Sequence, residues 1–140
     1  MEITFQSEGV EHPSIDEHAL SQWIESVAKK HNREIGEISY LFCDDEKILE
    51  VNQQYLNHDF YTDIITFDYS EGNIISGDII ISLQTVESNS QMYKTDFQEE
   101  LHRVIIHGIL HLCGQGDLTE EEEKAMRDAE NSALEMLFSE

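Results

Sequence analysis

His107-Gly108-Ile109-Leu110-His111-Leu112-Cys113-Gly114-Gln115-Gly116-Asp117 is the stretch on which the reading of this 140-residue chain turns. At about 100° per residue, its two histidines fall on one face of a helix with Cβ atoms ~6 Å apart, within reach of a single ion. Val104, Ile105, Ile106, Ile109, Leu110 and Leu112 make the helix apolar nearly all round, so it is expected to be buried. A buried imidazole pair needs hydrogen-bond partners or a metal. Gly114 and Gly116 are expected to end the helix in left-handed conformations and to turn the chain back so that it delivers Asp117. Three protein ligands with one open position make a catalytic zinc site, whereas structural zinc is closed by four. His107, His111 and Asp117 are therefore the candidate ligands, with zinc as first choice and nickel, iron or manganese as alternatives.

The residues around this trio narrow the chemistry. His102 lies about 140° from the face of His107 and is excluded as a ligand, and Cys113, two residues after His111, reads as a buried free thiol. The spacing also matches the metzincin pattern H-E-x-x-H-x-x-G-x-x-H, but Gly108 stands where the protease glutamate belongs and Asp117 where the last histidine belongs. With no glutamate to act as base, a peptidase is disfavoured.

The motif H-G-x-L-H-L-x-G, seen here as His107, Gly108, Leu110, His111, Leu112 and Gly114, resembles the signature of the YbeY endoribonucleases, the ribosomal RNA maturation factors. Asn52 and Tyr55, the run Thr62-Asp63-Ile64-Ile65-Thr66-Phe67, then Gly77-Asp78-Ile79, and finally Met126 and Glu130 extend the resemblance over roughly residues 40 to 135. The chain departs from the family pattern in three places. Gln115-Gly116 replaces a Tyr-Asp pair, Asp117 replaces the third histidine, and Leu56 stands where the family has an arginine. The resemblance implies a single-strand-specific, metal-dependent endoribonuclease that matures the 3′ end of small-subunit rRNA and serves ribosome quality control in the cytoplasm. Its partners would be rRNA or a ribosomal particle, with a ribosomal or GTPase protein beside it.

Composition is consistent with one globular domain over 1–140. The opening residues carry no secretory pattern and no apolar stretch approaches a membrane span, so a cytoplasmic protein is expected, with neither membrane nor DNA as partner. Two cysteines, Cys43 and Cys113, form no disulfide framework and no C-x-x-C motif. The net charge of -22, from 8 Lys and Arg against 30 Asp and Glu, sits awkwardly with RNA, whose phosphates are normally met by clustered cations. Two readings of RNA contact stay open. Either Lys94, Arg103 and the ion make a local positive spot, or a basic partner holds the strand. The acidic excess itself reads as solvated surface.

Hydrophobic periodicity predicts an α+β fold with a small, mixed four-stranded sheet packed by about five helices. Ile3 and Phe5 alternate as a strand, and Ser14-x-x-Glu17 reads as a capping box before a helix carrying Leu20, Trp23, Ile24, Val27 and Ala28. Glu37 to Cys43 reads as a central strand, and Asp44 as the cap of a short helix with Ile48, Val51 and Tyr55. Two β-rich runs, Asp63 to Tyr69 and Ile74 to Ser82, are joined by a turn at Glu71-Gly72-Asn73. Leu83 to Tyr93 is weakly helical. Asp96-x-x-Glu99 and Thr119-x-x-Glu122 read as capping boxes of the metal-bearing helix and of a last helix packed through Met126, Ala129, Ala133 and Leu137.

No general acid or base stands out. His58, Asp59 and Asp63 each suit the orientation of water or a leaving group, although Thr62-Asp63 suits a cap equally and His58 a solvated site. Asp78 after Gly77 reads as a turn residue. Arg103, one turn before His107 on the same face, is the candidate substrate contact, with a plain surface residue as the other reading. Two other classes of function stay in view: a ribosome-assembly factor with a structural ion, and a metal hydrolase with a different substrate.

Overall fold

The computed structural model describes residues 2–56 and 62–138. Four strands, β1 (Glu2–Ser7), β2 (Glu34–Cys43), β3 (Ile64–Asp68) and β4 (Ile74–Ser82), form one sheet in the order β1-β2-β4-β3. β2 runs parallel to both β1 and β4, and β3 closes the edge antiparallel to β4, which makes the sheet mixed. Five helices pack it: α1 (Glu17–Lys30), α2 (Asp45–Leu56), α3 (Leu83–Met92), α4 (Phe97–Leu112) and α5 (Glu120–Phe138). The expected α+β class and the count of elements hold, and α4 is the buried helix that the apolar run foretold.

The strands sort their side chains by alternation. Ile38, Tyr40 and Phe42 of β2 join Ile75, Ile79 and Ile81 of β4 and the apolar sides of α1, α4 and α5 in the main core. Cys43, Ile65 and Ile80 point to the opposite face, where Ile48 and Val51 of α2 cover them. Both faces of the central strands are therefore buried. β2 starts three residues earlier than its alternation suggests, because one extra residue between Ile35 and Ile38 shifts the register against β4. This bulge lies at Gly36, where a Cβ would collide with Ser76 Oγ.

Several local expectations need correction. α1 begins at Glu17, capped by Asp16, whose carboxylate accepts from the Ala19 N–H at 3.1 Å, so the box proposed for Ser14 does not form. Asp96 occupies the N-cap of α4 but its side chain makes no capping bond. Tyr55 is 64 % exposed and meets Phe67 edge-on, outside the core. Asp78 lies mid-strand, paired with Phe67, and takes the Tyr69 hydroxyl at 3.3 Å; the glycine before it serves close packing, since a Cβ at Gly77 would strike the Phe67 carbonyl. The box at Thr119 is complete, with Thr119 N–H on Glu122 and Glu122 N–H on Thr119 Oγ1, both at 3.1 Å.

Two contacts lock the helices that carry the site. Tyr40 donates its hydroxyl to the Ile105 carbonyl of α4 at 2.8 Å, and Trp23 donates its indole N–H to the Ala133 carbonyl of α5 at 2.7 Å. Both bonds are buried, so they fix α4 on the sheet and α5 on α1 through groups that would be costly to leave unpaired.

Candidate metal centre and cleft

α4 lies on β3 and β4 at Gly108. A Cβ there would stand 2.9 Å from Ile79 Cδ1 and 3.3 Å from Ile64 Cδ1, so this position has no room for a glutamate and its glycine serves packing. The helix then ends in a Schellman turn: Gly114, at φ +101°, donates to the His111 carbonyl and Gln115 to the Leu110 carbonyl, both at 3.0 Å. Gly116 corrects the expected pair of left-handed glycines. Its φ is not in that region, and a Cβ there would meet the Glu122 carboxylate, which would have to move aside. The loop is pinned further by Arg33, which donates to the Cys113 carbonyl at 3.2 Å.

The turn brings Asp117 back to α4. Its Oδ2 stands 3.4 Å from His107 Nε2, while the other ring nitrogen, Nδ1, is 2.7 Å from Glu130 Oε2 of α5. Glu130 is only 6 % exposed, and its second oxygen takes Arg103 Nη1 at 2.9 Å; Arg103 Nη2 reaches Asn131 Oδ1 at 2.8 Å. Burial alone would lower the basicity of His107, but the hydrogen bond and charge of Glu130, with help from Asp117 and Asp63, outweigh it and raise its pKa. For Glu130, burial works toward a higher pKa, and the bonds from His107 and Arg103 overcome it and hold the carboxylate low.

His107, Asp117, Glu130 and Arg103 line a cleft of about 500 Å³ that His111, Asp63, Glu100, Asn52, Tyr93 and Arg127 also enter. His111 stands exposed one turn beyond His107. Asp63 immediately precedes β3, and its carboxyl is shifted up by burial, with His107 partly opposing the shift. Glu100 is shifted up in the same way, against the pull of Arg103. Lys94, at φ 57° just beyond α3, is not a lining residue. His58 and Asp59 lie outside the described residues, as does the side chain of Leu56. His102, excluded as a ligand from its helix position, faces Gln98 and Trp23 instead. Cys113 is a half-buried free thiol pushed up to about 11 by burial, and Cys43 a buried one pushed up to about 12.

The donor set suits a divalent ion in kind. Two ligands bound at ~2.05 Å to a tetrahedral centre are about 3.3 Å apart. The 3.4 Å between His107 Nε2 and Asp117 Oδ2 is close to that separation. With Glu130 holding the Nδ1 proton, a neutral His107 presents its lone pair on Nε2, the arrangement typical of metal-bound histidines. Among the described residues, no three His, Cys, Asp or Glu side chains are grouped closely enough to form a complete cage. Sequence reasoning matched Glu130 to a family position but assigned it no role, and it passed over Asn131 and Arg127. The Glu130–His107 contact joins residues on different helices, and neither spacing nor periodicity signals it.

A family model described as "Endoribonuclease YbeY" matches residues 3–137. Curated relatives under that name include one from Bacteroides fragilis, 58% identical over 97% of this chain and 98% of its own length, and one from Parabacteroides distasonis, 56% identical over 98% and 96%. A third, from Porphyromonas gingivalis, is 53% identical over 96% of this chain and 89% of its own. Among solved structures, the solution structure of a Thermotoga maritima protein superposes with a TM-score of 0.68 at 26% identity, covering 98% of this chain and 89% of that one. By the extent of the family match and the identity of these relatives, the chain belongs to the endoribonuclease YbeY family.

Proposed function

We propose that the chain is a metal-dependent endoribonuclease that cuts single-stranded RNA in ribosomal RNA maturation, with His107, His111 and Asp117 holding one ion, zinc by first preference. The observation that carries this reading is the approach of Asp117 to His107 Nε2 while Glu130 occupies Nδ1. Bound there, a divalent ion supplies a water of lowered pKa and a Lewis acid for a phosphoryl oxygen. The protein's own residues do the rest. Glu130 keeps the imidazole in one tautomer and one orientation. Asp63, half-buried at the cleft wall with a raised pKa, is the carboxyl best placed to orient water or a leaving oxygen. Arg103 and Arg127 are the two arginines that line the cleft.

With a net charge of -22, the chain meets RNA best when a ribosomal particle, a basic ribosomal protein or a ribosome-associated GTPase presents the strand. Among the described residues no helix is long and apolar enough to cross a membrane. The rRNA-maturation reading carries with it a place beside the ribosomes, in the cytoplasm. The test is cleavage of a single-stranded and a duplex RNA by the purified protein, before and after chelation and zinc restoration, with His107→Ala as control. The expected result is cutting of the single strand alone, abolished by chelator and by the substitution and restored to wild type by zinc. Cleavage indifferent to both chelator and His107→Ala would contradict the reading.

A further inference from the structure

The two arginines of the cleft are not equivalent. Arg103 has both terminal nitrogens engaged, one on the buried Glu130 carboxylate and one on Asn131. Its charge is matched where it stands, and a phosphate would have to draw it away from a carboxylate only 6 % exposed. Arg127, one turn before Asn131 on α5, is exposed and lines both the cleft and the smaller neighbouring cavity that also includes His107 and Asp117. Among the described residues it has no hydrogen bond or ion pair, although Glu123 sits one turn earlier on the same helix, the spacing and order that favour such a pair. The other charged lining groups are carboxylates: Asp63, Glu100, Asp117 and Glu130. An anionic strand entering such a cleft needs a cation with free donors.

We propose that Arg127 is the residue that binds the RNA phosphate next to the metal centre, while Arg103 stays on Glu130 as a positioning residue. The guanidinium fork donates two parallel hydrogen bonds to a phosphate, and it recognises the backbone with no preference among bases. The inference rests on the endoribonuclease reading for the identity of the ligand. It narrows the local positive spot expected around Arg103 to a single side chain on another helix.

The experiment measures binding of a fluorescein-labelled, nuclease-resistant 2′-O-methyl oligouridylate by anisotropy across a salt series. Wild type is compared with Arg127→Ala, Arg127→Lys and Lys124→Ala, the last a cation on α5 outside the cleft walls. Arg127→Ala should weaken binding about tenfold at low salt and make the log–log salt slope shallower by about 0.7. Arg127→Lys should recover part of the affinity and the whole slope, and Lys124→Ala should change neither. Metal content should equal that of wild type in all three. Equal effects of Arg127→Ala and Lys124→Ala, or a wild type that does not bind the oligonucleotide, would overturn the proposal. A wild type that binds with the expected Arg127 dependence yet leaves the unmodified strand uncut would uphold the arginine's role and contradict the endoribonuclease reading.

Discussion

The two ends of the His107–Asp117 stretch are held in different ways. At its start, His107 sits in a closed network: Glu130 takes its Nδ1, Arg103 and Asn131 complete the set, and Gly108 presses the helix onto Ile79 and Ile64. At its other end, His111 is exposed and Asp117 is carried on a short loop after the Schellman turn. His107 is thus fixed in the core, whereas His111 and Asp117 stand at the surface. The contrast teaches that the proposed ligands are unequally preorganised: a buried carboxylate fixes one of them, and on the proposed reading the binding of an ion would have to supply the free energy that gathers the other two.

The largest effect should come from breaking the buried half. Glu130→Ala leaves Arg103 and His107 facing a lost partner, and removing one member of a buried ion pair costs about 3–5 kcal/mol. Denaturant unfolding should register that loss, and Glu130→Gln, which keeps the shape, should lose less. A Glu130→Ala protein as stable as one carrying Glu135→Ala on the exposed side of α5 would break the comparison at its root. Next in size is Gly108→Ala. The added methyl meets Ile79 Cδ1 at 2.9 Å and Cγ2 at 3.1 Å, so the buried Ile79 side chain or α4 itself must shift, an overpacking cost of about 1–3 kcal/mol. A melting temperature at or above that of wild type would show that the helix has room to move.

The smallest effect sharpens the same contrast. His111→Ala, made on the exposed half, should change the stability of the metal-free protein by no more than about 0.5 kcal/mol. It should nevertheless abolish the rise in melting temperature that zinc is expected to give the wild type, since an ion that binds only the folded chain stabilises it by mass action. A full zinc-dependent rise in His111→Ala would remove this histidine from the ligand set.

What could be read from the sequence follows the same division between local and distant. The C-terminal glycine of α4 and the reciprocal Thr119–Glu122 box depend on neighbours within a few residues, and each formed as read, apart from the backbone conformation of Gly116; the i, i+4 histidines both enter the cleft, but His111 is exposed rather than buried as the apolar run suggests. Ser14 failed as a cap because Asp16, two residues on, offers a better-placed carboxylate to Ala19, and a four-residue pattern does not rank competing caps. Gly36 and Gly77 were unreadable for another reason: what each avoids is an atom on a neighbouring strand, known only once the register is set. Glu130, 23 residues from His107, belongs to that second kind, and so does the engagement of Arg103, which left Arg127 as the cation with free donors. Helical spacing placed Arg103 on the His107 face correctly and was silent about α5 packing over it.

The central claim, that one ion joins α4 to the returning loop through Asp117, is tested most directly by elemental analysis of protein purified without added metal, wild type beside Asp117→Ala and Asp117→His. The account predicts close to one divalent ion per wild-type chain, most of it lost from Asp117→Ala and retained in Asp117→His, where an imidazole restores a donor. An Asp117→Ala protein that keeps the wild-type metal content would contradict it.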